Sequence, residues 1–263
     1  GEGNVVVVQL SAGEDDAEDV ALTAADSGGR AGPTDDRTAG EKGSLVVLKE
    51  LLAERLAIAN IGVYTVYSLL VIMNDEVFPL WALSSTSSGG MDLPVSDIGL
   101  ILTICGVLLT LFQFFLYSPV IKYLGSVRGF RWAALGTVPL YLVLPLIPRM
   151  GVSGKPAQWA LIVLVAVLAR CCNAVCFCSI SLLINHSVPV EKRGSLNGLS
   201  MTLGSLAKAL GPIVGGLLYA WSLSNGIGWP LNYHFVFIVM AVLSGASAFM
   251  AYTMVPAEHF LGV

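Results

Sequence analysis

From Ala209 to Ala257 the chain carries no Asp, Glu, Lys or Arg. That run is more than twice the roughly 20 apolar residues a helix needs to cross the hydrocarbon core of a bilayer. Inside lipid every backbone N–H and C=O must be paired within the protein, which leaves helices or closed barrels as the spanning structures. The run is continuously apolar and lacks the residue-by-residue alternation of a barrel strand, so it predicts helices. The rest of the chain beyond residue 56 agrees, and only 12% of the whole is charged, where soluble domains carry about 25%. The expected fold class is therefore all-α and integral to the membrane.

Ten of the eighteen acidic residues fall within residues 1–41, so the net charge of −4 describes an N-terminal segment and not a partner surface. Residues 1–44, rich in Gly, Ala, Asp and Glu, have little to bury and read as disordered and cytosolic. Residues 45–56 carry charges on one side of a helical pattern, as an amphipathic lead-in along the membrane surface would. A six-helix domain is expected over 57–255, followed by a cytosolic tail at 256–263. The spans are expected near 57–80, 97–120, 132–149, 158–183, 196–221 and 234–255; the third carries Pro139, Pro145 and Pro148. The chain opens without an initiator Met, which fits a processed product or a fragment. "VVVVQL" is too short, and lacks the basic flank, for a secretory signal.

Short loops assign the orientation. Lys42, Lys49, Arg55, Lys122, Arg128, Arg131, Lys192 and Arg193 would share one side, against Arg149 and Lys155 on the other, which places both termini in the cytosol. Four charges remain well inside the spans: Asp75, Glu76, Arg170 and Lys208. Each costs at least about 2.5–3.5 kcal/mol at the centre of a span, so an unpaired, lipid-facing position is disfavoured. At 100° per residue, Asn197, Ser200, Gly204, Lys208, Gly211 and Gly215 fall on one narrow stripe. Two readings stand for Lys208: a packing seam with the lysine paired to a neighbour, or a cation facing a central cavity. Arg170 shares a stripe with Asn173, Phe177 and Ser181, and the same two readings apply. Asp75 and Glu76 diverge by about 100°; one could titrate a proton, or both could mark a wetted helix end. Thr103, Gly106, Thr110 and Gln113 make a milder polar stripe that reads as packing.

"RCCNAVCFC" resembles a metal cluster only at first sight. Cys171 and Cys178 lie on one stripe and Cys172 and Cys176 on another, so four thiolates cannot converge tetrahedrally. His186 and His234 sit at opposite edges of the bilayer. No nucleophile–base set, phosphate loop or HExxH pattern occurs, and no enzyme, cofactor, metal or nucleic-acid partner is expected.

The ordered motifs resemble a known family. "VPVEKRGSLNGLSMTLGSLAKALGPIVGGLLYAW" is similar to the tenth-to-eleventh-helix region of major facilitator superfamily transporters. "YSLLVIMNDEVFPLWALSSTSSGGMDLPVSDIGLILTICGVLLTLFQFFLY" is similar to the seventh and eighth helices of their zinc-induced facilitator-like, drug:proton antiporter branch. The resemblance covers about residues 55–255. It implies the C-terminal six-helix half of a proton-coupled antiporter of small organic solutes or drugs, with residues 1–55 corresponding to the central cytoplasmic loop.

Under this resemblance Glu76 matches an acidic position of the seventh helix and Lys208 a basic position of the eleventh. Gly204, Gly211, Pro212, Gly215 and Gly216 would serve helix packing and gating. Lys122, Arg128, Arg131, Glu191 and Arg193 fall in cytoplasmic loops, with Lys122 where the family's loop motif has Asp. Substrate and proton candidates are Asp75, Glu76, Arg170, Asn173 and Lys208. Implied partners are the bilayer, a small molecule, protons, and a missing N-terminal half or a second copy. The alternative is a truncated six-helix protein without transport activity that binds or regulates a membrane partner.

Overall fold

A computed structural model describes residues 54–150 and 154–254. The acidic segment 1–44, residues 45–53 of the lead-in 45–56 and the tail 256–263 lie outside the described residues.

The described chain is helical. Helix α1 covers Arg55–Leu83 and α2 covers Val95–Leu111. A π-helical turn, Phe112–Leu116, runs directly into α3, Tyr117–Leu124. Pro119 in α3 has no N–H to offer Phe115, so regular α-helix would leave a gap in the ladder here. Gly125 alone separates α3 from α4, Ser126–Val143, in a positive-φ conformation (φ 73°) that suits glycine. Next come a 3-10 turn at Leu144–Arg149, then α5 (Lys155–His186), α6 (Arg193–Ser224) and α7 (Phe235–Met254). Taken as continuous segments, these helices supply six candidate membrane spans, the number expected.

The third span departs from expectation at its start. Residues 121–131 were expected as a loop because of Lys122, Arg128 and Arg131; they are helical except at Gly125. Long basic side chains reach the interface from a helix end, so they do not require a loop. The prolines divide the other end: Pro139 lies within α4, while Pro145 and Pro148 fall in the tighter 3-10 turn.

Helix α1 is the most covered, lying along α6 and α7 and touching α5, while α4 packs on α5 and α7. Tyr67, Trp81, Phe130, Tyr141 and Phe237 fill the core. The α1–α6 seam depends on glycine. A Cβ at Gly204 would enter the Tyr64 ring, one at Gly211 would lie 2.6 Å from Ile72 Cγ2, and one at Gly215 would lie 3.2 Å from Val77 Cγ2. Small residues allow this close approach. Polar contacts lock α4 to α7: Thr137 Oγ1 and Ser244 Oγ lie 2.6 Å apart, and Ser244 also donates to the Ala134 carbonyl at 2.8 Å. Arg131 donates to the carbonyls of Ala251 (2.8 Å) and Tyr252 (3.3 Å) in the last turn of α7.

Candidate functional site

Arg170 sits at the midpoint of the 32-residue α5, where charge needs a partner. It finds one on α1: Arg170 Nη1 lies 2.8 Å from Asp75 Oδ1. The pair is not sealed, since the Arg170 side chain is 21% exposed and that of Asp75 42%. Both line a cavity of about 230 Å³ bounded by α1, α2 with its π turn, and α5. Gln113, Asn173 and Phe177 complete its polar and aromatic wall, and Val71 and Leu109 supply apolar surface.

Asn173, one turn beyond Arg170, is held from two sides. Tyr67 on α1 donates its hydroxyl to Asn173 Oδ1 at 2.8 Å, and Asn173 Nδ2 donates to the Tyr141 hydroxyl on α4 at 3.0 Å. All three residues are buried. A buried amide and two phenols, each costly alone, satisfy one another and fix the cavity floor.

Lys208 reaches the same region from α6. Its Nζ lies 4.9 Å from the centre of the Phe177 ring, itself 5.3 Å from Tyr64. Such cation–π contacts contribute about 0.5–2 kcal/mol, most when desolvated. Lys208 thus has no carboxylate partner among the described residues and does not itself line the cavity: its helix forms the glycine seam, and its amine contacts Phe177 of the cavity wall.

The structure brings Asp75, Arg170 and Asn173 together, with Lys208 alongside through Phe177. It leaves Glu76 apart: half-buried, off this cavity, and without an ion-pair partner among the described residues. Gly204, Gly211 and Gly215 lie in the seam. Pro212 is exposed, and a Cβ at Gly216 would meet nothing within 4 Å. Lys122, Arg128 and Glu191 are exposed, Arg193 is partly buried at the start of α6, and Arg131 clamps α7. Cys176 is buried and donates its thiol to the Phe130 carbonyl at 3.6 Å; Cys178 edges the cavity. From the sequence Gln113 reads as packing, and nothing there singles out Tyr141. Gln113 was visible on a polar stripe, but a regular helix does not carry it round a π turn.

At the opposite end of the bundle, Arg149 lies over the Tyr233 ring (5.2 Å), and Tyr233 stacks on His234 (4.0 Å). His234 Nδ1 is 2.8 Å from Asn232 Oδ1. Burial, aided by the positive charge of Arg149, pushes the His234 imidazole below its ordinary value; burial raises the Tyr233 phenol, which Arg149 opposes.

Six apolar spans make this a multi-pass integral membrane protein, with paired charge set beside a cavity at the middle of a span. Residues 56–261 match the Major Facilitator Superfamily, and the chain belongs to that family of transporters. It is 33% identical over 200 residues to an Arabidopsis thaliana protein named "Probable peptide/nitrate transporter", covering 74% of this chain and 41% of that one. It is 32% identical over 197 residues to Protein Zinc Induced Facilitator 1 of Arabidopsis thaliana, covering 74% and 40%. A multidrug transporter of Aspergillus fumigatus is 29% identical over 186 residues, covering 65% and 30%. The chain thus spans about two fifths of the length of its first two curated relatives. No solved structure matches it.

Proposed function

We propose that the chain acts as the C-terminal half of a proton-coupled secondary transporter of small organic solutes or drugs, with antiport the sense implied by the resemblance. One observation carries this reading: the Asp75–Arg170 pair lies at the middle of a long span and opens onto a cavity. An ion pair within a span repays its desolvation only with good geometry and further hydrogen bonds; this one also keeps part of both side chains open to the cavity. In transporters built of two such halves, substrate binds between them near the bilayer midplane. Arg170 and Lys208 present positive charge to an anionic or polar substrate, and Asp75, with Glu76 behind it, takes part in proton coupling. Both termini lie in the cytosol.

Vesicles reconstituted with the full-length protein and loaded with a pH-sensitive dye test this directly. A panel of organic solutes is added, and proton movement coupled to solute is followed. Asp75→Asn is expected to abolish the coupling and Lys208→Ala to reduce it by about tenfold or more, a loss of roughly 1.4 kcal/mol in binding. Unchanged pH-driven transport in Lys208→Ala would remove the lysine from the site. No coupled movement with any solute would remove the function.

A further inference from the structure

One acid and one base line the cavity wall, and a second base stands beside it. Asp75 neutralises Arg170 through a 2.8 Å contact between Nη1 and Oδ1, and Lys208 on α6 adds a second cation at the Phe177 ring. The two charges that line the wall sum to zero with Asp75 ionised and to one positive charge with it protonated; Lys208 stands just outside the wall. Lys208 has no carboxylate in ion-pair range among the described residues, and Glu76 does not line the wall. Other groups around Asp75 leave this sum unchanged. Tyr141 of α4 lies within electrostatic reach of Asp75, Cys178 of α5 edges the cavity, and α2 with its π turn contributes Cys105 beside Arg170, with Leu109 and Gln113; none is a carboxylate or a cation.

On the transport reading above, we infer that this cavity takes an organic monoanion with an apolar body, and takes it together with a proton. The ligand's carboxylate and that of Asp75 compete for one guanidinium. While Asp75 is ionised it occupies Arg170, and an arriving anion meets a neutralised partner. A proton on Asp75 removes the competing charge and frees Nη1 of Arg170 for the anion, whose apolar body lies against Val71, Leu109 and Phe177. A cation is disfavoured twice, since it must displace Arg170 from Asp75 and sit near Lys208. Proton and anion therefore bind cooperatively. That linkage belongs to co-transport; antiport needs proton and substrate to exclude each other, so on this inference co-transport replaces the antiport sense of the reading above.

Benzoate and benzylammonium, similar in size and opposite in charge, serve as probes for calorimetric titration of the purified full-length protein. Benzoate is expected to bind with uptake of about one proton, read from the dependence of the heat on buffer ionisation. Its affinity is expected to fall about tenfold per pH unit once Asp75 is ionised, while benzylammonium does not bind. Asp75→Asn, neutral at every pH, is expected to bind benzoate with a flat pH profile. Arg170→Gln is expected to lose about a hundredfold in affinity, and Arg170→Lys to recover part of it, which separates a lost contact from a lost fold. The inference is overturned if wild type does not bind benzoate, binds it independently of pH, or prefers benzylammonium, or if Asp75→Asn keeps the wild-type slope. Any of these outcomes alongside intact pH-driven flux of other solutes withdraws the anion and leaves the transport reading standing. Proton-linked benzoate binding without flux of any solute withdraws transport and leaves this inference standing.

Discussion

Asn173 shows how one amide organises three helices. It accepts from Tyr67 on α1 and donates to Tyr141 on α4, so it fixes the floor of the cavity to the core. Asn173→Leu keeps the branching and the heavy-atom count and deprives both phenols of their partner. A stability loss of about 1–3 kcal/mol is expected, the cost of stranding buried polar groups, read as a lower melting temperature in detergent. His234 carries a different prediction. Its folded-state pKa lies below the ordinary value of about 6.5, so the unfolded chain takes up the proton first as pH falls. The His234 contribution is intact above that ordinary value and is lost on acidification through it. The melting temperature should therefore drop at acidic pH, and less so in His234→Gln. The charges of the site were legible as four ionisable residues in apolar runs, and helical spacing put Arg170 and Asn173 on one stripe. That Asp75 and not Glu76 meets Arg170 was not legible, because the choice depends on how two sequence-distant helices are rotated against each other.

At the scale of elements, the stripe of small residues on α6 was readable from spacing, and the structure supplies its counterpart, the Tyr64, Ile72 and Val77 side of α1. Gly211→Val should drive a side chain into Ile72 and cost about 1–3 kcal/mol, the usual penalty of overpacking. Gly216→Ala, one step beyond Gly215 and facing open space within the helix, should raise stability by about 0.5–1 kcal/mol. Equal effects of the two substitutions would mean that α1 and α6 do not approach as described. The number of spans was also legible, because continuous apolar runs leave few alternatives in lipid. The start of the third span was not: basic residues mark both loops and helix ends, and only Gly125 breaks the helix between α3 and α4.

For the whole molecule, the six candidate spans among the described residues, being even in number, return the chain to the side on which α1 begins. The cluster of Lys122, Arg128 and Arg131 lies at one end and Arg149 at the other. The orientation assigned from basic residues predicts how single cysteines, placed in a background without the five native ones, react with an impermeant maleimide. Lys122→Cys should label only after the membrane is permeabilised, and Arg149→Cys should label in intact cells or sealed organelles from the non-cytosolic side. The reverse pattern would invert the bundle. The second span and α6 are the least covered by the rest of the bundle, and their exposed residues Leu108, Leu111, Leu206 and Leu210 are apolar, as a surface in contact with lipid or a second half of the transporter requires.

The Arg131 clamp on the last turn of α7 also has a mechanical meaning. Its guanidinium holds the Ala251 and Tyr252 carbonyls and lies over the Tyr252 ring, 5.0 Å from its centre. A chain drawn out by its C-terminal end must break this anchor before α7 can peel away from α4. In single-molecule extraction from a bilayer, the first force peak should therefore belong to Arg131, and Arg131→Ala should lower it while leaving the later peaks in place.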